Sequence, residues 1–336
     1  MRDMQVYLDN NATTPLRKAA MTEMLSAMGP PANPSSVHGF GRNARLLVES
    51  ARESVAMLAG CRPADVVFTS GGTESNNLVL AQYDHVITSA IEHDSVRHAH
   101  DRCQMIAVDE NGVIDLNQLA ATLSMIDDDV KPNTIISVMA ANNETGVLQP
   151  IDQIAEMARS SNLAFHSDMV QVFGKSHLDL SNSEISYASF SAHKIGGPQG
   201  IGVLVRREGA PLRSLLTGGG QERGLRAGTE NVAGIVGFGV AAQIAKDTWL
   251  DTGAQLAVYR DELERRVLEL SPGSEIFSAR APRLPNTSNF SLPGVRSDTQ
   301  VMNLDLDGVA VSAGSACAAG KVEPSHVLDS MKVDPE

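Results

Sequence analysis

The chain has 336 residues, 42% of them hydrophobic, enough for one large domain and a smaller one around a substantial core. Its formal charge is −13, and its 27 Lys and Arg residues are dispersed rather than clustered, which leaves no electrostatic footprint for nucleic acid. No run reaches the roughly eighteen apolar residues of a membrane span, and the N-terminus enters a short strand without a signal-peptide core. The expectation is a soluble, cytoplasmic protein with neither membrane nor nucleic-acid partners.

In chain order, apolar runs of strand length recur at 66–68, 85–88, 105–108, 135–139, 163–166, 185–190 and 202–205. Their continuity predicts strands buried on both faces. Between several of them, 42–59, 74–81, 116–123 and 151–160 carry helical periodicity, so the pattern predicts a mostly parallel sheet flanked by helices, an α/β fold. After Gly228 it changes to long helical segments as far as about Leu270, then to short strands at 287–292 and 309–312, which predicts a smaller α+β domain.

Ligands of open parallel sheets bind beyond the carboxyl ends of the strands, and the chemistry-bearing residues fall at such ends. Residues 69–74 end a strand and open a helix. There Gly71 and Gly72 allow close backbone approach at a positive helix terminus, which suits an anion, although a plain glycine turn with a Thr cap reads equally well. The turn lacks both the lysine of a nucleoside-triphosphate loop and the third glycine of a dinucleotide fingerprint, so a lone phosphate is the better fit. At 91–94, His93 brings an imidazole able to stack on a flat ring or move a proton. The spacing of His93, His98 and His100 does not suit a metal. At 142–146, read as another strand end, Asn143 offers a neutral amide.

Asp168 and Gln171 follow the 163–166 strand, and Ser191, His193 and Lys194 follow the 185–190 strand. An amine beside hydroxyl and imidazole donors suits a phosphate-bearing aldehyde held as a Schiff base, and a carboxylate from the neighbouring strand end would keep a pyridine nitrogen protonated. Alone, Asp168 reads equally as a capping or ion-paired residue. The loop 218–229 is read as mobile and cationic, able to complete a phosphate site across a subunit interface or equally a plain surface loop. Of the three cysteines, Cys61 and Cys103 read as structural. Cys317, set among small residues at 312–320, can carry a nucleophile once its thiol is deprotonated.

In this order, residues 7–15, 33–38, 69–76, 92–93, 142–146, 168–171, 191–194, 218–229 and 312–317, followed by 323–325, resemble the cysteine desulfurases of the NifS/IscS class. These are fold-type I pyridoxal 5'-phosphate (PLP) enzymes related to the class V aminotransferases. The resemblance implies a large PLP-binding domain over 16–246 and a small domain from 1–15 with 247–336. It implies that Lys194 carries the cofactor, Asp168 contacts the pyridine nitrogen, Gln171 contacts the ring hydroxyl and His93 stacks on the ring. Gly72, Thr73, Ser191 and His193 would hold the phosphate, with Thr229 supplied by the partner subunit of a homodimer. Asn143 would lie near the substrate carboxylate and the cofactor. The implied reaction removes sulfur from L-cysteine, giving L-alanine and a persulfide on Cys317 that passes to a sulfur-acceptor or iron-sulfur scaffold protein. Ala313 in the second position of the cysteine loop favours the class with a long, mobile loop. A selenocysteine lyase, or a catalytically silent PLP-binding partner protein, is the alternative. The sequence stops nineteen residues past Cys317, before the arginine with which relatives fork the substrate carboxylate. Either the sequence omits a C-terminal segment or substrate binding is weakened, and the expectation is that fold and cofactor binding are less threatened than turnover.

Overall fold

The computed structural model describes residues 5–101, 103–314 and 325–333. The alternating runs become β1 (Val6–Tyr7), α1 (Lys18–Met28), α2 (Gly39–Ala59), β2 (Val66–Thr69), α3 (Gly72–Leu80), β3 (His85–Ser89) and α4 (Asp94–Arg97). They continue as β4 (Cys103–Ile106), α5 (Leu116–Ser124), β5 (Thr134–Ser137), α6 (Ile151–Ser160), β6 (Ala164–Asp168), β7 (Tyr187–Ser191) and β8 (Gly202–Arg206). The remainder is α7 (Val232–Leu270), β9 (Glu275–Ile276), β10 (Phe290–Ser291), α8 (Ser297–Leu306), β11 (Val309–Ala310) and α9 (His326–Ser330).

The central sheet has the order β2-β8-β7-β6-β5-β3-β4. Only β8 opposes its neighbours β2 and β7; the other adjacent pairs are parallel. Alternation along the strands divides the apolar side chains between two faces. Ile136, Phe165, Ala188 and Phe190 join the core beneath α2, α6 and α7, and Val67, Ile135, Tyr187 and Leu204 pack on the α3 side. Two small pairings lie outside this sheet, β1 parallel to β11 and β9 antiparallel to β10.

Several boundaries differ from the sequence pattern, the expected strands 287–292 and 309–312 shortening to β10 and β11, and two of the shifts follow from strand pairing. The edge strand β4 covers Cys103–Ile106 rather than 105–108 because Val86 pairs with Cys103 and Ser89 with Ile106, while Val108 leaves the sheet to bridge Ile114. Regular pairing in β5 stops at Ser137. The chain stays extended beyond it, with Val138 N–H donating to His166 O at 3.1 Å and Ala140 N–H to Asp168 O at 2.9 Å.

The loop 218–229 is fastened rather than loose. Its Glu222 is buried and takes two hydrogen bonds from Arg52 of α2, both at 2.8 Å, and a third from Phe68 N–H at 2.9 Å. The Arg52 guanidinium also lies 4.8 Å from the Phe68 ring centroid, a cation–π contact. Four residues on from Glu222, Arg226 pairs with Glu74 of α3 at 3.0 Å. A buried pair is costly to break because the surviving charge keeps no partner. The expected outcome is that Arg52→Met lowers unfolding stability by about 3–5 kcal/mol while the double variant with Glu222→Met recovers most of the loss. Urea denaturation measures both, and a single-variant loss below about 1 kcal/mol would place the pair in the weak class of surface ion pairs.

Candidate active site

The carboxyl ends of β3, β6 and β7 and the N-terminus of α3 open on one cleft of about 1820 Å³, which also reaches α7, β10 and α8. That exceeds a typical small-molecule pocket and leaves room for a cofactor with a substrate. Lys194 lies in the helical turn just past β7, and Asp168 is the last residue of β6. His93 caps α4, and Gly72 opens α3. Together with Thr73, Asn143, Gln171, Ser191 and His193, they all line the cleft.

Segment 11–14 crosses the strand ends and organises the lysine. Lys194 Nζ donates to the backbone carbonyl of Ala12 at 2.8 Å and to that of Asn11. Thr14 fastens the same corner, with its N–H on His193 O at 2.8 Å and its Oγ1 on Lys194 O at 3.1 Å. Gln171 Nε2 shares the Asn11 carbonyl at 3.1 Å, and Gln171 Oε1 accepts from Lys175 Nζ at 3.0 Å. Asn11 Nδ2 reaches Asn143 O at 3.0 Å and Thr287 Oγ1 at 2.9 Å, so one residue joins the sheet ends to the 286–287 segment. Asn143 itself lies six residues beyond the end of β5, after an isolated bridge between Ala141 and Leu148, and not directly at a strand end.

On the α3 side, Asp168 is held in place by neutral donors. It accepts from Asn76 Nδ2 at 2.7 Å and from Val170 N–H at 3.0 Å. Asn76 also donates to Ser95 Oγ at 2.8 Å, and Ser95 Oγ lies 2.7 Å from His93 Nδ1. The Ser95 N–H donates to the same Nδ1 at 3.0 Å, which puts the proton of a neutral ring on Nε2. Gly72 lets α3 pack closely on the segment after β6, since a Cβ there would come within 2.9 Å of Val170 Cγ2. First-turn N–H groups of a helix have no intrahelical acceptor, and Gly72 and Thr73 of that turn line the cleft.

Burial and neighbouring charges set the protonation of the surroundings. Desolvation, then the charges of Lys194 and Lys175, bring the His193 imidazole down to about 4, which leaves it neutral at neutral pH. Its Nδ1 lies 3.1 Å from Thr13 Oγ1. His166, buried inside β6, is likewise lowered to about 4 by burial, against the opposing pull of Asp168. It bridges Ser137 Oγ at 2.8 Å and Ser189 Oγ at 2.9 Å across three strands. Glu92 is fully buried, and burial, with the Asp168 charge adding, pushes its carboxyl up to about 8. Ser89 Oγ lies 2.5 Å away, and Met139 N–H donates to it at 2.9 Å. Burial also pushes the Cys61 thiol up to about 12 and raises Cys103, in keeping with structural roles for both.

Thr229 is exposed and is not among the residues lining the cleft. Cys317 lies outside the described residues, although Ser312, Ala313, Gly314 and Ser325 on either side of that stretch line the cleft. Among the described residues there is no cluster of three or more potential metal ligands and no helix long and apolar enough to cross a membrane.

The aminotransferase class-V family matches residues 6–332. Cysteine desulfurase NifS of Azotobacter vinelandii is 40% identical, over 98% of this chain and 84% of its own length. Cysteine desulfurase IscS of Dictyoglomus turgidum is 38% identical, over 98% and 86% respectively. The chain belongs to the cysteine desulfurase family. The X-ray structure of a NifS-like protein from Rickettsia africae superposes with a TM-score of 0.91 at 34% identity, covering 99% of this chain and 91% of that one. The expected fold, α/β with a mostly parallel sheet flanked by helices, is therefore the desulfurase fold.

Four contributors to this desulfurase cleft carry no role in the sequence reading: Asn11, Asn76, Glu92 and Lys175. A faint signal exists for two of them. Asn76 follows Gly72 by four residues on one helix face, and Lys175 follows Gln171 by four. The Glu92 proton gives a pH signature. Folded Glu92 keeps its proton to about 8 against 4.5 ordinarily, so unfolding releases a proton between those values and stability falls as pH rises through them. In Glu92→Gln that contribution is absent. Chemical denaturation of both proteins should show the variant gaining on the parent as pH rises from about 5 to 8. A pH-independent difference would mean that Glu92 is ionised in the fold.

Proposed function

We propose that this chain is a PLP-dependent cysteine desulfurase that takes sulfur from L-cysteine onto Cys317, releases L-alanine and hands the persulfide sulfur to an acceptor such as an iron-sulfur scaffold protein. The observation that carries the reading is that an amine and a carboxylate from adjacent strand ends, Lys194 and Asp168, line one cleft with the first residues of α3. The donor set fits the cofactor. The N-terminus of α3 would hold a phosphate on the Gly72 and Thr73 N–H groups, with Ser191 and His193 of the same lining. Asp168, held by Asn76, supplies the charge that a pyridine nitrogen requires, the Gln171 amide suits a ring hydroxyl, and His93 offers a flat face.

When bound, the cofactor supplies an electron sink for charge developed at the substrate α-carbon. The side chains then have distinct tasks. Lys194, returned to a neutral amine, is the base for the α-proton. His93, with Nδ1 occupied by Ser95, would present its Nε2 proton to the cleft and its flat face to the cofactor. Asn143 orients the substrate carboxylate. The Cys317 thiolate attacks the cysteine sulfur, so that an S–S bond forms as the substrate C–S bond breaks. The displaced carbon takes a proton, and the balance is L-cysteine plus thiol giving L-alanine plus persulfide. Thr229 lies outside its own cleft on a loop pinned by Glu222, which supports its donation to the phosphate site of a partner subunit in a homodimer. Division into a large domain over 16–246 and a small domain from 1–15 with 247–336 follows the same reading, as does a cytoplasmic setting.

Incubation of the PLP-loaded protein with L-cysteine and a reductant should give alanine and sulfide in equal amounts. Cys317→Ser should keep the cofactor absorbance and lose sulfide release, and Lys194→Ala should lose about 10²–10⁴-fold in alanine formation. Bound cofactor with no alanine from the parent chain would overturn the proposal.

A further inference from the structure

The turn that would seat the phosphate carries a carboxylate of its own. Glu74 stands in the first turn of α3, and its Oε2 accepts the Ser70 N–H at 2.8 Å, so the side chain folds back over the start of the helix. Burial works against its charge, yet hydrogen bonds from Arg226 and Ser70 hold it below the ordinary carboxylate range, and it is ionised at neutral pH. An ionised carboxylate at that place competes with any other anion for the positive helix terminus. The charge is met from the loop 218–229. Arg226 Nε lies 3.0 Å from Glu74 Oε1 and its Nη2 3.3 Å from Oε2, a two-point fork. The two side chains keep only 25% and 18% of their surface exposed, where screening by solvent is weak. Earlier in the same loop, buried Glu222 is locked on Arg52, so the guanidinium is delivered from a fixed point.

We propose that Arg226 is a positioning residue for the cofactor phosphate: by pairing with Glu74 it cancels a negative charge in the turn that would hold the phosphate, and so keeps the α3 terminus selective for an anion. This rests on the reading of that terminus as the phosphate seat, which the shared lining of Gly72, Thr73, Lys194 and Asp168 supports. The pair reconciles two demands made on one place. The helix start needs an acceptor for the Ser70 N–H, which Glu74 supplies, and a phosphate needs the same turn free of net negative charge, which Arg226 supplies. Arg226 acts through Glu74 and has no need to touch the ligand. A merely structural anchor would hold the loop without discriminating between a phosphorylated ligand and the same ligand lacking its phosphate.

The test is binding to the full chain freed of cofactor, read from quenching of Trp249, the chain's one tryptophan, which lines the same cleft. Titration with PLP and with pyridoxal, which has the same ring and aldehyde but no phosphate, gives a ratio of dissociation constants that isolates the phosphate. In Arg226→Met the preference for PLP should fall about tenfold while pyridoxal binding stays within about twofold, as expected for one uncovered charge close to a phosphate. Glu74→Gln keeps an acceptor for Ser70, so the double variant should regain the parent's ratio, and Glu74→Gln alone should keep or raise it. An unchanged ratio in folded Arg226→Met, equal weakening of both ligands, or a double variant no better than the single would overturn the proposal and leave only a loop anchor. Where Arg226→Met does not fold, Glu74→Gln alone decides, and a reduced preference for PLP refutes the proposal. A parent chain with no preference for PLP over pyridoxal would refute the phosphate reading itself, which keeps the two failures apart.

Discussion

Asn11 is where the parts of this molecule meet. Its carbonyl takes Lys194 and Gln171, its side-chain oxygen takes Lys175 and Asn286, and its amide nitrogen reaches Asn143 and Thr287. The ends of β6 and β7, the 142–146 turn and the segment before β10 are thereby held to a single residue. Each of these elements alone is a common piece of α/β architecture. Their convergence gives the amine a fixed place, and fixed placement of the reacting groups is a large part of what an enzyme contributes to rate.

The second constraint is electrostatic. Asp168 stands on the α3 side, held by Asn76, while Lys194 and Lys175 are gathered on Asn11. Glu92 stays protonated because burial and the neighbouring Asp168 make a second carboxylate charge expensive. His326 of α9 donates from Nε2 to Glu92 O at 3.0 Å, and Ser325 lies 2.5 Å from Glu144. The stretch beyond the cysteine segment is thus anchored at the same corner as His93.

Much of this was legible in the sequence, for identifiable reasons. Strands buried on both faces read as apolar runs, and residues just past such runs must lie on the ligand-binding side of a parallel sheet, which is why Asp168 and Lys194 could be placed together. What escaped depends on distant pairing. Glu222 lies in a loop whose glycines and arginines read as mobile, yet its carboxylate meets Arg52 at a separation of 170 residues. The start of β4 was set by the register with β3 and not by its own apolar residues. Asn143 was read as a strand end because Val138 to Ala141 are apolar, but pairing between β5 and β6 ends earlier. Lys175 carries no role in the sequence reading, since the sequence does not show that the turn after β6 folds it back onto Gln171.

The central claim, that Lys194 and not its neighbour holds the cofactor, is tested most directly by reducing the PLP-loaded protein with borohydride and mapping the modified peptide. The account predicts the reduced pyridoxyl group on Lys194 alone. A pyridoxyl group on Lys175, or one scattered over surface lysines, would contradict it.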